Sequence, residues 1–169
     1  MISSARPDLR WAVEAGDWRT HKEQSEAARC LLRHLVGDDI AIEHNSQGAP
    51  YITGQPSMHI SISHCRTAVA VAISEKYRIG IDIESHRKVS TSLMERVCTA
   101  DELAEIRTSA DPTMTFLRFW TRKEAVLKMH GTGIRGFGSM VEVSEAADCT
   151  VEEIECGLDN TVAALATAL

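Results

Sequence analysis

A chain of 169 residues with 44% apolar side chains can fold around a core of its own, as one compact unit or as two small lobes sharing one, which excludes a disordered reading. A net charge of −6 without any block of Lys or Arg excludes a dedicated nucleic-acid binder, since phosphate neutralisation needs a local basic excess. No charged start leads into an apolar stretch and no apolar run approaches the length of a membrane span, so a cytoplasmic protein with no membrane partner is expected. Cysteines at 30, 65, 98, 149 and 156 form no C-x-x-C pair, and free thiols in a reducing compartment follow.

In chain order, Asp8 to Ala15 reads as an extended opening segment. Thr20 to Val36 reads as an amphipathic helix with Ala27, Leu31, Leu32, Leu35 and Val36 on its apolar side. Ile40 to His44 is expected as a strand, followed by turn chemistry at Asn45-Ser46-Gln47-Gly48-Ala49-Pro50 and a short extended piece at Tyr51 and Ile52. Met58 to Ile62 is extended, and the small, partly β-branched run Thr67 to Ile73 favours a strand over a buried helix. Arg78 to Ile83 is a further strand. Thr91 to Cys98 and Ala100 to Thr108 read as two helical pieces, the second opened by a capping box of Thr99 and Glu102. After the break at Pro112, Thr113 to His130 is the longest helical pattern, stopped by Gly131. The tail is expected to give strands at Met140 to Val143, Thr150 to Cys156 and Thr161 to Thr167. The likeness of Thr67–Ile73 to Thr161–Thr167 suggests a duplicated α+β unit.

Two segments carry chemistry. In Gly80-Ile81-Asp82-Ile83-Glu84, side-chain alternation along a strand puts both carboxylates on one face, roughly 6–7 Å apart at their Cα atoms. Taken alone, this pair is the polar face of an edge strand. In Phe119 to Lys128, Glu124 and Lys128 share a helix face while Lys123 is turned about 100° away. A Glu–Lys pair four apart is commonly a plain surface salt bridge, but here Trp120, Ala125, Val126 and Leu127 surround it with apolar side chains, so burial is expected. Asp82, Glu84 and Glu124 together make an oxygen-ligand set suited to Mg²⁺, with positions left for phosphate oxygens and with Lys123 and Lys128 to offset phosphate charge. Ser63-His64 is a weaker signal that a simple turn also explains. Cys65 beside it has no identifiable acid partner and is set aside as a nucleophile.

These residues together resemble the 4′-phosphopantetheinyl transferase superfamily. The likeness rests on Gly48-Ala49-Pro50, Ser63-His64, Gly80-Ile81-Asp82-Ile83-Glu84, and Trp120-Thr121-Arg122-Lys123-Glu124-Ala125 with Lys128, the last two signatures lying about 40 residues apart. The order of helices and strands from about Lys22 onward is similar to the two-lobed, surfactin-synthetase-activating type. The resemblance implies an α+β fold of pseudo-two-fold duplicated lobes, residues 1–78 and 79–169, each a small antiparallel sheet packed with a long helix, in a monomer that binds coenzyme A between the lobes. It implies Mg²⁺ held by Asp82, Glu84 and Glu124 against the coenzyme A pyrophosphate, with Ser63, His64, Lys123, Lys128 and Arg29 binding the cosubstrate. A serine of an apo acyl or peptidyl carrier protein then receives the phosphopantetheine arm, releasing adenosine 3′,5′-bisphosphate, with Glu124 and Lys128 as the catalytic pair and with Glu124 or a metal-bound water taking the serine proton. The chain departs from the family pattern at Ala49, where Lys is usual, and the grip on the 3′-phosphate falls to Lys22, Arg29 and Arg33 as candidates. Leu93 to Arg107 is the expected docking segment for the carrier protein. A catalytically silent relative that binds coenzyme A or a carrier protein, and a Mg²⁺-dependent phosphate-ester hydrolase, are the two alternatives.

Overall fold

The computed structural model describes residues 2–131 and 147–169. The strand expected at Met140 to Val143 lies outside the described residues.

The first half of the chain is a four-stranded antiparallel sheet in the order β1-β2-β6-β5, made of β1 (Ile2–Arg6), β2 (Leu9–Ala15), β5 (His59–His64) and β6 (Ala68–Ser74). β1 adds a strand before the extended segment expected from Asp8; its Ile-Ser-Ser-Ala-Arg sequence has little β-branched content to announce it. Across one face lies α1 (His21–Val36), opened by a capping box between Thr20 and Glu23 and ended at Gly37, whose φ of 109° favours glycine. The helix buries Ala28, Leu31, Leu32 and Leu35, so its inner stripe is centred on Ala28 rather than Ala27, with Ala27 and Val36 packing at the margin.

β6 is buried along its whole length and explains its own composition. Val69, Val71 and Ile73 point to α1, whereas Ala68, Ala70 and Ala72 point the other way, where small side chains let a second sheet come close. A small ribbon of β3 (Ile42–His44) and β4 (Pro50–Ile52) sits beside this unit. Its turn is closed by Asn45, whose side-chain oxygen accepts from the amides of Gln47 and Ala49 at 2.9 and 3.0 Å.

The second half repeats the plan with β7 (Ile79–Ser85), β8 (Cys149–Glu153) and β9 (Thr161–Ala168) in the order β7-β9-β8, covered by α4 (Pro112–His130). β8 ends at Glu153, three residues short of the stretch expected to be extended. In each half a strand, β2 or β7, precedes the covering helix, and a later antiparallel pair folds back so that the last strand lies in the centre. The matching Ala/Val runs are those two central strands, β6 and β9. Inserted in the second unit are α2 (Thr91–Val97) and α3 (Ala100–Thr108), the latter capped by Thr99 and Glu102 as its sequence predicts. Among the described residues no helix is long and apolar enough to cross a membrane.

Ile79, Ile81 and Ile83 of β7 pack on Leu9, Trp11, Val13 and the β6 alanines, forming a core shared by the two sheets. The outer edge of β7 is closed by side chains: the Ile81 amide donates to Ser61 Oγ at 2.9 Å, and the Ile83 amide to Ser63 Oγ at 3.3 Å. Two buried donors on an unpaired strand edge are thereby satisfied by two serines of β5.

Candidate active site

The opposite face of β7 carries Gly80, Asp82 and Glu84, and α4 lies directly on it. A Cβ at Gly80 would stand 1.9 Å from the Ala125 carbonyl oxygen and 2.5 Å from the Met129 amide nitrogen, so glycine is what allows the helix backbone to come this close. That approach brings Glu124 and Lys128, one helical turn apart, to the carboxylate pair. The burial expected around the Glu124–Lys128 pair is seen at Glu124, 8% exposed, whereas the Lys128 side chain stays 29% exposed; Asp82, read as the polar face of an edge strand, is 5% exposed.

Asp82 Oδ1 accepts from Ser63 Oγ and from Lys128 Nζ, both at 2.7 Å, while Lys128 also donates to the Ile81 carbonyl at 3.1 Å. Asp82 Oδ2 is buried without a hydrogen-bond partner among the described residues. An ionised oxygen in that position is costly unless a positive charge reaches it. Glu124 beside it is also disfavoured in its ionised form. Burial first, then the charges of Asp82 and Glu84, push its carboxyl up to about 7, against the opposing pull of Lys128. Glu84 is turned to the loop after β7, where Arg87 Nε and Nη2 each reach one of its oxygens at 3.0 Å. With Glu84 so engaged, no three His, Cys, Asp or Glu side chains among the described residues close on a single point.

His64, at the end of β5, is held below the ordinary histidine range by burial and by its neighbours His21 and Lys128, despite the opposing charge of Asp82. The His21 ring meets it edge to face at a centroid distance of 4.8 Å. Two openings flank the cluster. One, of about 690 Å³, is lined by His64, Arg66, Glu84, His86 and Arg87. The other, of about 150 Å³, joins Gly48-Ala49-Pro50 to Ser61 and Lys128, so the Gly-Ala-Pro turn stands beside the site although Ala49 brings no charge to it.

Lys123 and Arg29, both assigned to the cosubstrate by sequence, make no hydrogen bond or ion pair with the carboxylates of Asp82, Glu84 and Glu124 among the described residues. Lys123 is 3% exposed and its ammonium donates to the Val97 carbonyl and to Glu102, both at 2.6 Å. The 100° turn away from Glu124 aims it at α2 and α3, where it ties helices together and does not face the carboxylates. Arg29 is partly exposed on α1, and among the described residues no hydrogen bond or ion pair joins it to the cluster. Sequence reasoning also missed His21, Ser61 and Arg87. Of these, only Arg87 left a local trace, three residues after Glu84 and of opposite charge.

Residues 78–164, just over half of the chain, match the model of the 4′-phosphopantetheinyl transferase superfamily. The chain belongs to this superfamily. The matched stretch contains Asp82, Glu84, Glu124 and Lys128, whereas Ser63 and His64 precede it. Among similar proteins, 4′-phosphopantetheinyl transferase AcpT of Escherichia coli O157:H7 is 28% identical over 165 residues, covering 95% of this chain and 82% of that protein. 4′-Phosphopantetheinyl transferase psf-1 of Bacillus pumilus is 29% identical over 113 residues, 62% of this chain and 48% of that protein. 4′-Phosphopantetheinyl transferase Sfp of Bacillus subtilis is 30% identical over 102 residues, 59% and 45% respectively. These alignments span about half the length of the two Bacillus relatives and most of the length of AcpT.

Proposed function

We propose that this chain transfers the 4′-phosphopantetheine arm of coenzyme A to a serine hydroxyl of an apo acyl or peptidyl carrier protein, releasing adenosine 3′,5′-bisphosphate. The observation that carries the reading is the buried, unpartnered Asp82 Oδ2 beside Glu124, whose own carboxyl is raised first by burial and then by the charges of Asp82 and Glu84. A divalent cation answers both. Mg²⁺ held by Asp82, Glu84 and Glu124 would neutralise charge on the pyrophosphate of the cosubstrate.

The chain's own groups then divide the work. Lys128 keeps a positive charge on the phosphate side of Asp82, and its second bond, to the Ile81 carbonyl, fixes where that charge stands. Ser63 holds the Asp82 side chain in place by donating to Oδ1 while its oxygen caps the β7 edge. His64 lines the larger opening, where phosphate oxygens can reach it. Standing at the Asp82 end of α4, Glu124 would take the proton of the carrier serine as the new P–O bond forms and the bond to adenosine 3′,5′-bisphosphate breaks. The rest of the acceleration comes from position and electrostatics, as in other in-line phosphoryl-group displacements. Both halves, residues 1–78 and 79–169, contribute side chains, so a monomer can provide the cleft. The five free cysteines accord with a reducing compartment, and the cytoplasm is the proposed location.

Intact-mass spectrometry of a panel of apo carrier proteins incubated with the chain, coenzyme A and Mg²⁺ tests this. The expected result is a gain of one phosphopantetheine per carrier, lost with EDTA and lost in Asp82→Asn. No gain on any carrier while coenzyme A still binds would assign the chain to a silent relative. Release of a nucleotide without a carrier present would make it a hydrolase.

A further inference from the structure

The three carboxylates of the cluster are met in this structure by two side-chain cations, Lys128 on Asp82 and Arg87 on Glu84. Arg87 is the more adaptable of the two. Its side chain is 41% exposed, it stands in the loop that follows β7, and its guanidinium reaches both Glu84 oxygens in a parallel fork. It also lines the larger opening, in company with His64, Arg66 and His86. The Asp82 charge adds to that of Glu84 in holding the guanidinium cation. A planar fork of this kind fits a phosphate as well as it fits a carboxylate.

A divalent cation bound to Glu84 would lie against the guanidinium, and like charges at contact distance repel. With Glu124 ionised, three carboxylates with Lys128 and Arg87 leave one negative charge. Two more positive charges would turn that balance positive, and an anionic ligand in the groove would absorb the excess. On the reading proposed above, we infer that Arg87 is a positioning residue that occupies Glu84 until a cation displaces it, and that its freed fork then takes phosphate oxygens in the groove. One exchange of partners thus couples cation binding to binding of the phosphate-bearing cosubstrate, and the coupling is reciprocal.

Titration of Mn²⁺ into the full chain, with free Mn²⁺ read by electron paramagnetic resonance, tests this with and without coenzyme A. Without coenzyme A, Arg87→Ala is expected to bind Mn²⁺ on the order of fivefold more tightly than wild type, the scale of a well-formed ion pair removed as a competitor. Coenzyme A should tighten Mn²⁺ binding in wild type and do so much less in Arg87→Ala, with Arg87→Lys between the two because a point charge cannot fork. Equal or weaker Mn²⁺ binding by Arg87→Ala without coenzyme A, or an unchanged effect of coenzyme A, overturns the exchange and leaves the cation site standing. If Asp82→Asn binds Mn²⁺ as wild type does, or no variant takes up Mn²⁺ even with coenzyme A, the cation site itself fails and the exchange falls with it.

Discussion

Replacing Gly80 by Ala tests the link between the close approach of α4 and the site. The added Cβ would lie 1.9 Å from the Ala125 carbonyl oxygen and 2.5 Å from the Met129 amide nitrogen, and both are backbone atoms that no rotamer change can withdraw. Restoring an ordinary contact near 3.4 Å requires the helix and strand to separate by about 1.5 Å. Overpacking of this size is expected to cost about 3 kcal/mol or more. The same displacement carries Glu124 and Lys128 away from Asp82, and a misplacement of about 1 Å in a catalytic group costs on the order of 100-fold in rate. Urea denaturation gives the first quantity, and phosphopantetheine transfer to an apo carrier at a temperature where the variant is folded gives the second. Ala125→Gly should not rescue Gly80→Ala, because the obstruction is the Ala125 carbonyl and not its methyl group. A Gly80→Ala protein within about 0.5 kcal/mol of wild type, or one rescued by Ala125→Gly, would refute the argument.

Ser63→Ala leaves the Ile83 amide without its acceptor and Asp82 Oδ1 with one donor fewer, so a loss of about 1–3 kcal/mol in urea melts is expected, together with slower transfer. Glu124 gives a pH signature in metal-free protein. Its carboxyl rises from 4.5 unfolded to about 7 folded, so the protonated form favours the native state, that contribution is full below pH 4.5, and it is lost as pH rises through 7. The shift corresponds to about 3 kcal/mol at most, and urea midpoints at pH 5 and pH 8 in EDTA should fall less steeply for Glu124→Gln than for wild type; identical slopes would remove Glu124 as the source. Lys123→Ala and Lys128→Ala should part company. The first breaks a buried pair with Glu102 and is expected to cost about 3–5 kcal/mol of stability, while the second should lower turnover more than it lowers the urea midpoint.

Much of this is legible in the sequence, because the strongest signals are local. The two-residue spacing of Asp82 and Glu84, the four-residue spacing of Glu124 and Lys128, and the Thr99–Glu102 and Asn45 motifs each depend on geometry within one element. What stayed hidden depended on partners far along the chain. That Lys123 turns from Glu124 follows from helix periodicity, but its acceptors at Val97 and Glu102 come from α2 and α3, so the lysine could be given to phosphates by mistake. His21 is an exposed residue in the first turn of α1, and only folding brings it to His64. Ser61 read as a polar residue in an extended run, yet it serves the amide of Ile81. Gly80 was seen as part of a motif, while its reason, the backbone of α4 lying on it, needed the packed structure.

The serine-closed edge of β7 has an implication for how the two halves could be parted. Ser63 and His64 come from one half and Asp82, Glu84, Glu124 and Lys128 from the other, so neither half holds a complete constellation. Between Ser74 and Ile79 the chain has only residues 75–78, a tether short enough to keep the halves at high effective concentration. Cutting that tether would leave two fragments, each with its own helix-covered sheet. Function would return only where they found one another, making transfer activity a reporter of fragment complementation and the Ser61 and Ser63 hydroxyls the contacts that set its register.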